Sequence, residues 1–358
     1  MLPEPDADAR AASNALAERI RGEIRAQGDW ISFARYMELA LYAPGMGYYS
    51  GGAAKLGAAG DFVTAPELGK LFAKTLAVQL KELLQPGDEL LELGAGSGAL
   101  ADVLTKEITN PYVILETSPE LRQRQQQRLG ERARWIERLP ERFRGVMLAN
   151  EVADAMPVHA VAWSAQGVME RGVGFSRDAF FWRQRPAGGF LLEIANQIPI
   201  EPPFESEIGL AARAWIATLA ARLERGAILV IDYGFPEREY YHPQRAMGTL
   251  MCHYRHRAHG DVFFHPGLQD ITAHVDFTAL ARAAREAGLQ LLGYANLAQF
   301  LVNCGVTEAL DAGAGTPQEA NTLLSPAEMG ELFKVLAVGR GIESPLLGFA
   351  RGDRSHAL

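Results

Sequence analysis

Apolar positions recur at helical spacing through the first quarter of the chain, then gather from Asp88 onward into short runs separated by glycine turns. Ala11, Leu16, Ile20 and Ile24 predict a helix over residues 8 to 27. A second helix is predicted over Ile31 to Leu41, ended by Pro44-Gly45. The glycine-rich stretch from Gly45 to Gly60 carries Tyr48 and Tyr49 and, taken alone, reads as a surface loop. It ends in Asp61-Phe62-Val63-Thr64-Ala65-Pro66-Glu67. Pro66 then starts a helix running to Leu84, with Glu67 in its first turn.

Beyond Asp88 strands and helices alternate. Glu89 to Leu93 reads as a strand, followed by a glycine turn and a helix from Ala99. Tyr112 to Leu115 is the second strand, followed by a helix from Pro119 to Leu129. Trp135-Ile136, Val146 to Ala149 and Ala227 to Ile231 are the third, fourth and fifth strands. This alternation predicts an α/β fold built on a mostly parallel sheet with helices on both faces. Residues 158 to 200 break the pattern: Val158 to Trp163, Phe180 to Trp182 and Phe190 to Leu192 read as antiparallel strands. Residues 235 to 275, rich in His, Tyr and Pro, read as a long functional loop. A helix from Phe277 to Gly288 and strands at 289–293 and 335–338 resume the alternation.

Composition narrows the class without fixing it. The 358 residues are 48% hydrophobic and 22% charged, as in an ordinary globular protein. No apolar run approaches the ~18 to 20 residues of a membrane-spanning helix, so membrane insertion is not expected. Cys252 and Cys304 lie far apart, which argues against a disulfide framework and a zinc site. With the acidic start Glu4-Pro5-Asp6, they suggest a reducing, cytoplasmic setting. The net charge of −8 offers no general basic face for nucleic acid. Five histidines lie from His253 to His274, but without an HExxH-type helix, and with Arg and Tyr between the first of them, they read as a polar loop, and no metal is expected.

The chemistry concentrates at the strand ends. Glu92-Leu93-Gly94-Ala95-Gly96-Ser97-Gly98 lets backbone approach a ligand without an intruding Cβ. Glu116, 22 positions after Gly94, can accept two ribose hydroxyls. Gly94-x-Gly96-x-x-Ala99 alone would also suit a dinucleotide. Glu92 favours S-adenosylmethionine (SAM) instead, since its carboxylate suits an ammonium group and would repel a pyrophosphate. Ile136, at the third strand's end, is counted with the cofactor residues.

Asn150, Glu151 and Asp154 follow the fourth strand, where ligands of open α/β sheets sit. They are the catalytic candidates. The competing reading is a helix N-terminus capped by Asn150. Asp232-Tyr233 ends the fifth strand in the same way, and His274 belongs to the alternating Asp270-x-Thr272-x-His274-x-Asp276.

Jointly these segments resemble the MidA-like methyltransferases, whose mitochondrial members assist assembly of respiratory complex I. The resemblance is carried by Gly47-Tyr48-Tyr49, Gly60 to Glu67, Leu91 to Gly98, Asn150-Glu151 with Asp154 to Pro157, Ser206-Glu207-Ile208, Ile231 to Gly234 and Asp270 to Phe277. It departs after Glu151, where Val152-Ala153 replaces bulkier residues and Met156 a usual Leu. Those changes bear on substrate fit and leave the carboxylates in place.

The resemblance implies a Rossmann-like class I methyltransferase core with an N-terminal helical extension and an antiparallel β insertion. The implied organisation is a helical and loop region over 1–86, core over 87–157, 206–234 and 277–358, the β-rich insertion over 158–205, and a substrate-side loop over 235–276. It implies SAM as cofactor, a protein substrate and arginine methylation, with a respiratory-chain subunit as one target. A second copy of the chain is a further partner considered. Asp61 and Thr64 join the cofactor residues; Glu67 and Glu207, with Asp232, Tyr233 and His274, join the substrate side. The alternatives are a small-molecule methyltransferase and a non-catalytic SAM-binding assembly factor, with a dinucleotide oxidoreductase last.

Overall fold

The computed structural model describes residues 2–51, 65–343 and 345–358, which group into two compact units. One unit holds the large sheet and includes residues 65–153, 213–237 and 275 onward. Its strands are β1 (Glu89–Leu93), β2 (Tyr112–Leu115), β3 (Arg134–Ile136), β4 (Phe143–Asn150), β5 (Leu223–Phe235), β6 (Val275–Asp276), β7 (Gln290–Asn296) and β8 (Phe333–Arg340). Their spatial order is β7-β8-β5-β4-β1-β2-β3, with β6 paired to the end of β5. All pairs from β5 through β3 are parallel, and β8 runs antiparallel to both neighbours. The strand order therefore reverses between β1 and β4. In an open α/β sheet this reversal opens a ligand crevice at the carboxyl ends of the strands.

The strands are nearly continuous hydrophobic runs because helices cover both faces. Leu90, Ile114, Val146, Leu148, Leu229 and Val335 pack with helix residues Leu76, Leu80, Leu100, Leu104 and Phe300. The opposite face, including Leu91, Met147, Val230 and Leu336, is equally buried. Three helices frame the first strands: α1 (Leu71–Leu83), α2 (Ala99–Glu107) and α3 (Pro119–Leu129). Ser118 caps α3 through the Leu121 amide, and Pro119 occupies its first turn, where no amide is needed.

The other unit joins the described residues up to 51 to 154–212 and 238–274. Helices Ala7–Ala26 and Phe33–Tyr42 pack through Leu16, Ile20, Phe33 and Met37 with Val158, Val173 and Ile271. A five-stranded antiparallel sheet includes His159–Ser164, Gly167–Ser176, Ala179–Pro186 and Phe204–Ile208. The N-terminal helices are close to expectation, except that Ile31-Ser32 pairs with Val173 and Gly172 before the second helix begins.

Three expectations change. Phe190 to Leu192 lie in a helix, Gly189–Gln197, rather than a strand. The helix expected from Pro66 to Leu84 is two helices, Ala65–Leu68 and α1, broken around Gly69, where a Cβ would come within 2.4 Å of the Glu319 carboxylate. The stretch expected as one long loop contains a three-stranded sheet of Met251–Tyr254, Arg257–His259 and Asp270–Thr272. Short strands rich in His and Arg carry little periodic signal, so this sheet was not legible.

Candidate cofactor and transfer site

The glycine turn leaves β1 with Gly94, Gly96 and Gly98 all in left-handed conformations, at φ 66°, 53° and 78°. These are conformations a side chain resists. The Gly94 amide donates to the Leu115 carbonyl at 3.0 Å, tying the turn to the end of β2. A Cβ on Gly94 would approach Val152 Cγ2 to 3.3 Å. The Ser97 hydroxyl donates to Glu67, and Arg128 Nη1 donates to the Ser97 carbonyl and hydroxyl at 3.1 and 3.0 Å. Glu67, expected among the substrate groups, is thus brought to the glycine turn.

Glu116 follows β2 and is 7% exposed. Its Oε1 accepts the Ser118 amide at 2.9 Å and its Oε2 accepts Gln125 Nε2 at 2.9 Å. Burial pushes its carboxyl above the ordinary value, and these hydrogen bonds oppose the rise. Glu92 is more deeply enclosed and accepts the Tyr112 hydroxyl at 2.8 Å. Burial carries it up to about 7, against the Tyr112 bond and with a further upward push from Glu116. Ile136 ends β3 directly opposite Leu115.

After β4 the chain does not enter a helix, so the capping reading of Asn150 does not hold. Glu151 instead adopts a left-handed φ of 53°. Its amide donates to the Ile231 carbonyl at 2.9 Å, and its Oε1 accepts Asn150 Nδ2 at 3.0 Å and the Ala65 amide at 3.3 Å. Asn150 Oδ1 is buried with no partner among the described residues. Asp232 shapes the same turn: its Oδ2 accepts the Val152 and Ala153 amides at 3.2 and 2.9 Å. Asp232 is fully buried. Tyr233 packs edge-on against Phe333, with ring centroids 5.3 Å apart.

The remaining candidates belong to the other unit. Asp154 is 5% exposed, and its carbonyl accepts the Ala273 amide at 3.0 Å. Glu207 is buried, with its Oε2 accepting both the Thr249 amide and hydroxyl at 2.9 Å. Thr249 Oγ1 in turn accepts the His274 amide at 3.1 Å. Glu207 therefore acts as an internal bracket for residues 249 and 274. Asp61 and Thr64 lie outside the described residues. Sequence reasoning missed Tyr112, Gln125 and Arg128, and also Tyr49, whose hydroxyl donates to Asp270 at 3.0 Å. Among the described residues no group of three or more His, Cys, Asp or Glu is placed to hold a metal ion, and no helix is long and apolar enough to cross a membrane.

Comparison with known proteins agrees with this chemistry. Residues 71–295, more than half of the chain, match the model of an S-adenosyl-L-methionine-dependent methyltransferase family. A superfamily member from Burkholderia thailandensis, crystallised with S-adenosyl-homocysteine (SAH), is 50% identical over all of both chains and superposes with a TM-score of 0.96. A native crystal structure from the same species is 49% identical over all of both chains, with a TM-score of 0.92. The Drosophila melanogaster protein arginine methyltransferase NDUFAF7 homolog, a mitochondrial protein, is 28% identical over 97% of this chain and 91% of its own. The mitochondrial NDUFAF7 of Danio rerio is also 28% identical, over 91% and 87%. These relatives overturn the cytoplasmic expectation. A low cysteine count does not identify a compartment.

Proposed function

Because the chain belongs to the S-adenosyl-L-methionine-dependent methyltransferase family, we propose that it methylates arginine side chains of a protein substrate. The relatives named as protein arginine methyltransferases span nearly the whole chain and support this reading. The observation that carries it is the conformation of Glu151. A non-glycine residue at φ 53° costs on the order of 1 kcal/mol or more and persists where the surroundings impose it. Here Asn150 and the Ala65 amide hold the carboxylate in place.

SAM fits the residues present. The three left-handed glycines offer backbone free of side chains, and Glu116 keeps lone pairs beyond those used by Ser118 and Gln125. Gly94, Gly96, Ser97 and Gly98 would line the amino-acid end, with Glu92 answering its ammonium. Glu116 would take the ribose, with Ile136 beside the adenine. When bound, the sulfonium supplies the methyl group.

The chain's own work is to orient the acceptor. A guanidinium keeps its charge at any ordinary pH, so it must be held by carboxylates to leave water. Glu151 and Asp154 take that role, and Asn150 fixes the direction in which Glu151 points. A carboxylate on one guanidinium nitrogen concentrates positive charge there and leaves another nitrogen more nucleophilic. Asp232 maintains the turn that presents Glu151. The test is mass spectrometry of the host proteome with and without the gene, followed by methyl transfer in vitro to the protein so identified. Methylarginine that disappears with the gene and is restored by purified enzyme supports the reading. An unchanged methylarginine inventory, with transfer to a small molecule instead, would reject it.

A further inference from the structure

Helix α3 has the sequence Pro-Glu-Leu-Arg-Gln-Arg-Gln-Gln-Gln-Arg-Leu, and only Gln125 and Leu129 of it are buried. Gln125 is completely removed from solvent. A buried amide costs free energy unless its bonding positions are filled. Here Nε2 donates to Glu116 Oε2 and to the Gly96 carbonyl, both at 2.9 Å, while Oε1 accepts Trp135 Nε1 at 3.0 Å. One side chain thus touches the acid after β2, the glycine turn after β1 and an aromatic residue of β3.

We propose that Gln125 is a positioning residue of the cofactor site, fixing the Glu116 carboxylate and the glycine turn in one geometry before SAM arrives. The inference rests on Glu116 being the ribose acceptor. Its direction is dictated by chemistry. An indole N–H only donates, so Trp135 forces Oε1 of the amide toward itself. The NH2 end must then face Glu116 and the Gly96 carbonyl, which both accept. Neither a carboxylate nor an aliphatic side chain can satisfy all three neighbours. The fit against the turn is close as well, since a Cβ on Gly98 would meet Gln125 Cγ at 3.4 Å. With Ser118 and Gln125 each occupying one oxygen, Glu116 presents its remaining lone pairs to a diol. The other charged groups near this network are Glu92, which feels the Glu116 charge, and Arg128, which donates to Ser97.

The experiment compares the affinity of the full chain for SAH and for its 2′-deoxyribose analogue, across pH 5 to 8, in wild type, Gln125→Met and Gln125→Glu. Thermal melting confirms that each variant is folded. Wild type should prefer the ribose by at least about tenfold, the value of a charge-assisted hydrogen bond. Gln125→Met should lower that preference to within about threefold, because the Ser118 amide alone then holds one oxygen and leaves the other unfixed. Gln125→Glu keeps an acceptor for Trp135 and shares a proton with Glu116 at low pH. Its preference should therefore survive near pH 5 and collapse toward pH 8, as two adjacent carboxylates both ionise. A role in folding alone would not produce that pH-dependent loss of discrimination, and Gln125→Glu carries the test should Gln125→Met fail to fold. If wild type and folded variants discriminate equally at every pH, Gln125 does not position Glu116 and the proposal falls, while the ribose role stands. If wild type itself binds both ligands equally, the ribose role of Glu116 is wrong and the proposal falls with it.

Discussion

Tyr112 donates its hydroxyl proton to Glu92 across 2.8 Å, from one parallel strand to its neighbour, with both side chains almost out of solvent. Burial outweighs that hydrogen bond, so the Glu92 carboxyl titrates at about 7 rather than in the usual carboxylate range. An acid two residues before the glycine turn is thereby poised between its two forms at neutral pH.

The burial of Glu92 sets how stability follows pH. The native state holds the Glu92 proton through a range in which the unfolded chain has released it. Glu92 therefore leaves stability intact below the unfolded value of 4.5 and erodes it as pH rises to about 7, with no further loss above. At ~1.4 kcal/mol per unit, the full loss is about 3 kcal/mol. Urea unfolding of wild type and Glu92→Gln should show the variant gaining relative stability from pH 4.5 to 7.5. A gap between them that stays constant with pH would show that Glu92 titrates normally.

Cofactor binding should move the same proton. An ammonium group beside Glu92 favours the carboxylate, so SAH binding near pH 6 should release a proton, and at pH 8 much less. Calorimetry in two buffers of different ionisation heat measures the release, and Glu92→Gln should abolish it. Wild-type binding that releases no proton at pH 6 would mean the ammonium is held elsewhere, with Glu67 on the Ser97 hydroxyl the first alternative.

How far the sequence led depends on how local each signal is. The glycine turn, Glu116 and the strand-helix alternation are written in contiguous residues, and the structure reproduces the first five strands nearly as read. Gln125 was invisible because it stands in a run of three glutamines, and only packing against Trp135 and Gly96 selects the first of these to face inward. Phe190 to Leu192 misled for the opposite reason. A short apolar run is shared by strands and buried helices, and periodicity cannot separate them. Glu207 is a substrate-side candidate in the sequence, and the donors it takes from Thr249, 42 residues away, are contacts no spacing rule would reveal.

Asp232 is better explained as a structural acceptor than as a substrate contact. It lies within β5, fully buried, and takes the amides of Val152, Ala153 and Tyr233. Asp232→Ala would remove the acceptor of these amides, at roughly 1–3 kcal/mol for a donor left buried, and Asp232→Asn would retain one acceptor and cost less. Chemical denaturation should rank the three proteins in that order. Methyl transfer should fall in both variants, because the turn carrying Glu151 loses its anchor. Full stability in Asp232→Ala would refute the anchoring role.

Glu151 and Asp154 should act on the acceptor rather than on SAM. Glu151→Gln isolates charge from shape, since an amide oxygen can still accept Asn150 Nδ2 and the Ala65 amide. The turn, set by Asp232 and the strained φ of 53°, has no reason to change. A guanidinium leaving water for this site loses hydration that a neutral amide cannot replace, so the cost falls on the transition state. Transfer to a substrate protein should drop by about two orders of magnitude or more in Glu151→Gln or Asp154→Asn, as when one preorganised electrostatic group is removed. SAH affinity should stay within about threefold of wild type, since neither carboxylate is assigned to the cofactor. Single-turnover assays separate these quantities. Normal transfer by both variants would show that the carboxylates are dispensable and that the turn serves the fold alone. Loss of SAH by both would place them in the cofactor site, leaving Glu67 as the next acid to test, because Glu207 is already committed to Thr249.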